Sequence, residues 1–143
     1  MKSLLSLLLL FSLSAQASIG GVILHEGTGQ VERSEDGSEV VTEKELDIFS
    51  DDIVKTGKGK TAIQFVDDTR VDITEHSKLI IDAFVYDPET STGSLSIKAS
   101  LGTIRYASGL IAKNSKQNVK IQTPTATIGV RGTDFSMTVD ELG

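Results

Sequence analysis

The chain has no cysteine and no tryptophan, and only two prolines, two tyrosines and two histidines in 143 residues. Without thiols there are no disulfides, thiolate metal centres, cysteine nucleophiles or lipid anchors on an N-terminal cysteine, so the fold rests on packing and main-chain hydrogen bonds. The two imidazoles, His25 and His76, lie far apart. Neither sits in a helical His spacing or beside a nucleophile elbow, so a three-ligand metal site or a Ser/His/Asp triad has little to draw on, and both read as surface or satisfied structural groups. A surplus of positive charge is also missing: the formal charge is −6. The lysines look scattered, so a phosphate-tracking surface is not expected and nucleic acid is not a predicted partner.

Hydrophobic residues at 38% and charged residues at 24% are close to globular averages, and the length fits one domain. Long apolar runs are confined to the start. Met1 and Lys2 give a positive opening, and Leu4 to Leu13 is an apolar run of ten residues. That is too short to cross a hydrocarbon core of about 30 Å as a helix. Ser14, Ala15, Gln16 and Ala17 then supply small residues for a signal peptidase, with Ala15 and Ala17 at the two pocket positions. The expectation is a signal peptide over 1–17, cleavage before Ser18, and a mature domain over 18–143 with no transmembrane segment, located in the periplasm or secreted.

Beyond Ala17, apolar residues recur at every second position and turn residues punctuate them, which predicts an all-β domain of many short strands. Leu95, Ile97, Ala99 and Leu101 alternate with Ser94, Ser96, Lys98 and Ser100. Ile63 and Phe65, then Val71 and Ile73, flank Asp67, Asp68 and Thr69 as a hairpin. Leu79, Ile81, Ala83 and Val85 share one face while Ile80, Phe84 and Tyr86 are apolar on the other, which predicts a central strand covered on both sides. Asp87 to Gly93 reads as a loop holding Pro88. Gly20 to Leu24, Gly29 to Arg33 and Val40 to Thr42 read as strands around a Glu35–Gly37 turn, and Glu43 to Phe49 as a possible helical turn. Val119 with Ile121, Ile128 with Val130, and Phe135 with Met137 and Val139, interrupted by Gly129 and Gly132, read as two or three more strands. A two-sheet sandwich and a short solenoid-like stack both fit this spacing.

Three groupings bear on chemistry. Gly57 to Thr61 resembles the end of a phosphate-binding loop, but Val54 stands where its first glycine is required and a strand, not a helix, follows. The pairs Asp51–Asp52 and Asp67–Asp68 contain the residue types of a calcium or acid/base site, but adjacent aspartates at turns are ordinary turn formers. Acids are plentiful, and no spacing selects a catalytic pair. The third is the run Thr123-Pro124-Thr125-Ala126-Thr127-Ile128-Gly129-Val130-Arg131-Gly132-Thr133-Asp134-Phe135. Pro124 belongs at a strand edge or start, and Gly129 and Gly132 bracket a turn or bulge. Arg131 brings a planar five-donor fork to an apolar neighbourhood, with strand-end carbonyls, Asp134 or Asp52 as partners, either as a structural staple or as a contact residue.

That run resembles the signature of FecR-type domains. Asp52, Ile53, Lys55, Thr56 and Gly57, then Ala62 to Phe65 with Asp67 to Thr69, and Leu101, Gly102 and Thr103 are similar to earlier parts of the family pattern in order. The resemblance implies stacked strands, an envelope location and a role in signal reception, with Thr123, Pro124, Gly129, Val130, Arg131, Gly132, Thr133 and Phe135 as the signature residues. It implies a non-catalytic module that binds another envelope protein, with no cofactor and no metal. The alternative is a small-ligand or glycan-binding domain, which the shortage of aromatic platforms disfavours.

Overall fold

The computed structural model describes residues 17–130 and 134–141. The leader through Gln16, with Ala15, and the signature residues Arg131, Gly132 and Thr133 lie outside the described residues. The strands are β1 (Gly20–Glu32), β2 (Glu39–Val41), β3 (Asp47–Ile48), β4 (Ile53–Phe65), β5 (Arg70–Ile73), β6 (Lys78–Asp87), β7 (Thr92–Ala107), β8 (Val119–Gln122), β9 (Thr127–Gly129) and β10 (Asp134–Val139). One short helix, α1 (Leu110–Asn114), and a 3-10 turn at Lys116–Asn118 separate β7 from β8. The chain is all-β, as the two-residue rhythm requires.

The strands form one hydrogen-bonded sheet in the order β2-β1-β4-β5-β7-β8-β9, with β3 on β1, β10 on β7, and β6 between β4 and β7. Among the described residues, only the β7–β8 pairing is parallel. β5 and β6 run the same way in the gap between β4 and β7, like one strand interrupted at residues 74–77. That interruption lies on a line of irregularities crossing the sheet. β1 shifts register between Gly27 and Gly29, Gly59 of β4 faces Gly27, and Gly102 of β7 lies against Ser77. Gly27 and Gly59 hold φ of 81° and 152°, and a Cβ on either would come within 1.9 Å of a carbonyl oxygen on the other strand. Only glycine permits this approach. Across the same line the buried positions change parity: Val54 and Thr56 give way to Ile63 and Phe65 in β4, and Ile97 and Ala99 to Ile104 and Tyr106 in β7.

The line is a crease on which the sheet folds onto itself. Laid flat, Phe65 and Phe84 would be roughly 40 Å apart, taking about 3.3 Å per strand residue from the crease outward on each side. Their rings instead stack with centroids 5.3 Å apart. Two blocks of one sheet therefore close face to face on a single apolar cluster that draws on both, among them Val54, Ile63, Leu79, Leu95 and Ile104. Of the two arrangements the spacing allowed, this is sandwich-like.

Two strand expectations need correction. β6 is not covered on both sides: its register against β7 slips between Ile81 and Ala83, so Asp82 is an extra residue. A bulge of one residue turns the following side chains over. Leu79, Ile81 and Phe84 are thus buried together, while Ala83 and Val85 are exposed. Glu43 to Phe49 forms no helix: Glu45 takes a positive φ of 74° in a turn, and β3 follows. The segments Gly20–Leu24 and Gly29–Arg33 prove to be one bulged strand, β1.

Candidate functional site

The signature run divides into parts with different surroundings. Thr123 closes the β8–β9 hairpin: its N–H donates to Ala126 O at 2.8 Å, and its hydroxyl accepts from Ala126 N–H at 3.0 Å. Pro124 sits at the tip, where its missing N–H costs nothing. Because residues 123 and 126 form the hydrogen-bonded pair, alternation makes Ile121 and Ile128 the next one. The N–H groups of Thr127 and Gly129 therefore point away from β8, along the outer edge. Thr127 and Gly129 are exposed, Ile128 is half-buried and Val130 is buried. A Cβ added to Gly129 would meet nothing within 4 Å, and its φ is not in the left-handed range. Nothing within the described chain requires glycine there; the turn or bulge expected between Gly129 and Gly132 runs into residues outside those described.

Phe135 lies on β10, where it stacks on buried Tyr106 at 5.1 Å between centroids. Burial pushes the Tyr106 phenol above its ordinary pKa. Beside this pair, Arg70, Asp72, Arg105 and Asp134 edge an open cleft of about 350 Å³. Asp72 is occupied by Arg70 at 2.7 Å. Asp52 pairs with Arg33, which also donates to Asp47 O at 3.0 Å and lies over the Phe49 ring at 5.0 Å; the expected Arg131–Asp52 contact falls outside the described residues. Burial pushes the Asp52 carboxyl above its ordinary range, and the Phe49 N–H and the Arg33 charge oppose that shift. The sequence offered no sign of this pairing, since Arg33 and Asp52 meet only when β1 and β4 align.

The aspartate pairs do not form acid/base or calcium sites; one member of each is buried and the other turns outward. Asp51 and Asp68 are exposed at positive φ of 67° and 71°, whereas Asp52 and Asp67 are 1% and 0% exposed. Asp67 is the more consequential residue, and reading it as an ordinary turn former missed part of its role. Its carboxyl accepts from Thr69 N–H at 3.1 Å, Thr69 hydroxyl at 2.8 Å and Ile111 N–H at 3.2 Å. Its carbonyl accepts from Leu110 N–H at 2.7 Å. It thereby caps α1 from a distant hairpin, satisfying donors that the helix leaves open. Gly109 is pressed against this corner, where a Cβ would lie 2.3 Å from Thr69 N.

The glycine run Gly57–Thr61 lies inside β4 at the crease rather than at a strand start. It borders a groove of about 510 Å³ lined by Gly27 to Gln30, Val41 and Lys55 to Gly57. The lysine there is already occupied: Lys55 lies 2.7 Å from Glu32 and 3.5 Å from Glu39. A phosphate would find no helix N-terminus, since strand β4 continues through the run. His25 contacts Thr61 Oγ1 at 2.9 Å and Gly27 O at 3.1 Å, a satisfied structural histidine, and His76 is exposed in the turn that interrupts β5 and β6. Among the described residues, no three His, Asp or Glu side chains group to hold a metal ion, and no helix is long and apolar enough to cross a membrane.

No curated protein and no solved structure matches the chain. The family profile described as FecR protein matches residues 52–143, well over half of the sequence. Its first residue is the buried Asp52, and its span takes in the crease, the Asp67 corner, the β8–β9 hairpin and β10. The chain belongs to the FecR family, whose members act in the regulation of iron-type and cell-surface signalling.

Proposed function

We propose that the chain is a non-catalytic interaction module of the bacterial envelope, exported through its leader to the periplasm or beyond. There it serves as an accessory to cell-surface signalling by docking on another envelope protein through its open β9 edge. The observation that carries this reading is the outward row of Thr127 and Gly129 N–H groups on an exposed strand whose glycine no contact among the described residues demands. Such an edge pairs readily with a partner strand, and a residue without Cβ lets the partner approach closely. The family supports a signalling role, and the Met1–Ala17 pattern supports export.

Gly129→Pro removes one outward N–H and leaves the Ile121–Ile128 pair intact. A tagged wild-type chain should retain a protein from envelope extract that Gly129→Pro, at an unchanged melting temperature, does not. Equal retention by both would overturn the edge as the docking element.

A further inference from the structure

The sheet order ends in β2 on one side and β9 on the other, and these two ends carry opposite charge. Residues 18–52 hold ten carboxylates against two bases, while residues 90–133 hold six bases and no carboxylate. This reverses the impression of scattered lysines. Glu35, Glu43 and Glu45 are exposed in the turns on either side of β2. Lys113, Lys116 and Lys120 are exposed along α1, the 3-10 turn and β8, and none forms an ion pair among the described residues. The β2 side also presents Val41, which is 65% exposed.

We propose that, when no foreign partner holds the β9 edge, a second copy of this chain occupies it, with the acidic β1–β2 edge of one molecule docking on the basic α1–β8–β9 edge of the next. This goes beyond the reading above, since a chain can dock on a foreign protein without binding itself. Like charges oppose β2–β2 and β9–β9 contacts, and opposite charges favour the β2–β9 contact. The two patches differ and sit at opposite ends of the sheet, so the contact is heterologous and propagates head to tail. A broad anionic surface fits less well, because the whole chain carries −6 and its acidic end would be repelled.

The test is sedimentation of the purified chain at an ionic strength of about 0.01 M, where screening acts over about 30 Å, and of about 1 M, where it acts over about 3 Å. The average mass should rise with protein concentration at low salt, and association should weaken by about tenfold or more at high salt. Two charge-reversed variants sharpen the result: K113E/K116E/K120E, and E35K/E43K/E45K. Each alone should be monomeric with a wild-type circular dichroism melt, and a one-to-one mixture should associate again. A monomeric wild type at low salt, a monomeric mixture of folded variants, or association indifferent to the reversals would each overturn the proposal. Capture by phosphatidylglycerol vesicles without self-association would also overturn it and assign the basic edge to a lipid surface.

Discussion

The Asp67 corner and the Thr123–Gly129 hairpin belong to the same family segment, yet they are built in opposite ways. At the corner every polar atom described is hydrogen-bonded in the dry interior, and a glycine is present because no side chain fits. At the hairpin the main chain faces water, and a glycine is present where a side chain would fit freely. A buried, satisfied corner fixes geometry; an open edge leaves hydrogen-bonding capacity for something else. The residues most conspicuous in the sequence lie at the second place, and those that hold the fold lie at the first.

The comparison is sharpest under substitution. Asp67→Ala should cost about 3–5 kcal/mol in urea denaturation, because three buried donors lose their acceptor at once. A loss below about 1 kcal/mol would show that water replaces the carboxyl and that the corner is not a staple. Gly59→Ala at the crease should cost about 2–3 kcal/mol, since its methyl group meets the Glu26 carbonyl in a backbone conformation that disfavours side chains. Gly129→Ala should stay within about 0.5 kcal/mol of wild type, as surface changes generally do. A large loss there would make the hairpin structural after all and remove the contrast.

The smallest effect concerns Lys55. Its hydrogen bond and charge hold the Glu32 carboxyl below its ordinary range, and Glu32 in turn raises the Lys55 ammonium. The stability that Glu32 contributes is therefore present at neutral pH and lost as pH falls through its lowered value. The share due to Lys55 is present below the ordinary lysine value and lost as pH rises through the raised one. Lys55→Met should lower the melting temperature slightly at neutral pH and flatten both limbs of its pH dependence; unchanged limbs would mean that solvent screens the pair fully.

Much of the fold was legible because alternation is a local signal. The 94–101 strand, the hairpin around Asp67 to Thr69 and the presence of two or three strands between Val119 and Val139 all followed from it. It failed where a single inserted residue reset the phase: the two apolar faces read in β6 are one face displaced by the Asp82 bulge. The helix at Leu110–Asn114 was missed because it is five residues long and is capped by a carboxyl from another hairpin, a contact that local sequence does not encode. The crease left a trace in Gly27, Gly29, Gly57, Gly59 and Gly102, but their alignment across strands emerges only from the register. For the candidate site, the sequence singled out a segment but not the differences within it. Thr123 forms a turn, Phe135 packs on Tyr106 and Gly129 stands free, and only tertiary surroundings separate these roles.

Native-state hydrogen exchange on the isolated chain puts the contrast to its most direct test. The Thr69 and Ile111 amides, bonded to Asp67, should exchange only through global unfolding, while the outward Thr127 and Gly129 amides should exchange as fast as an open edge allows. Slow exchange at Thr127 and Gly129 with fast exchange at Thr69 and Ile111 would contradict the division into a fixed corner and a docking edge.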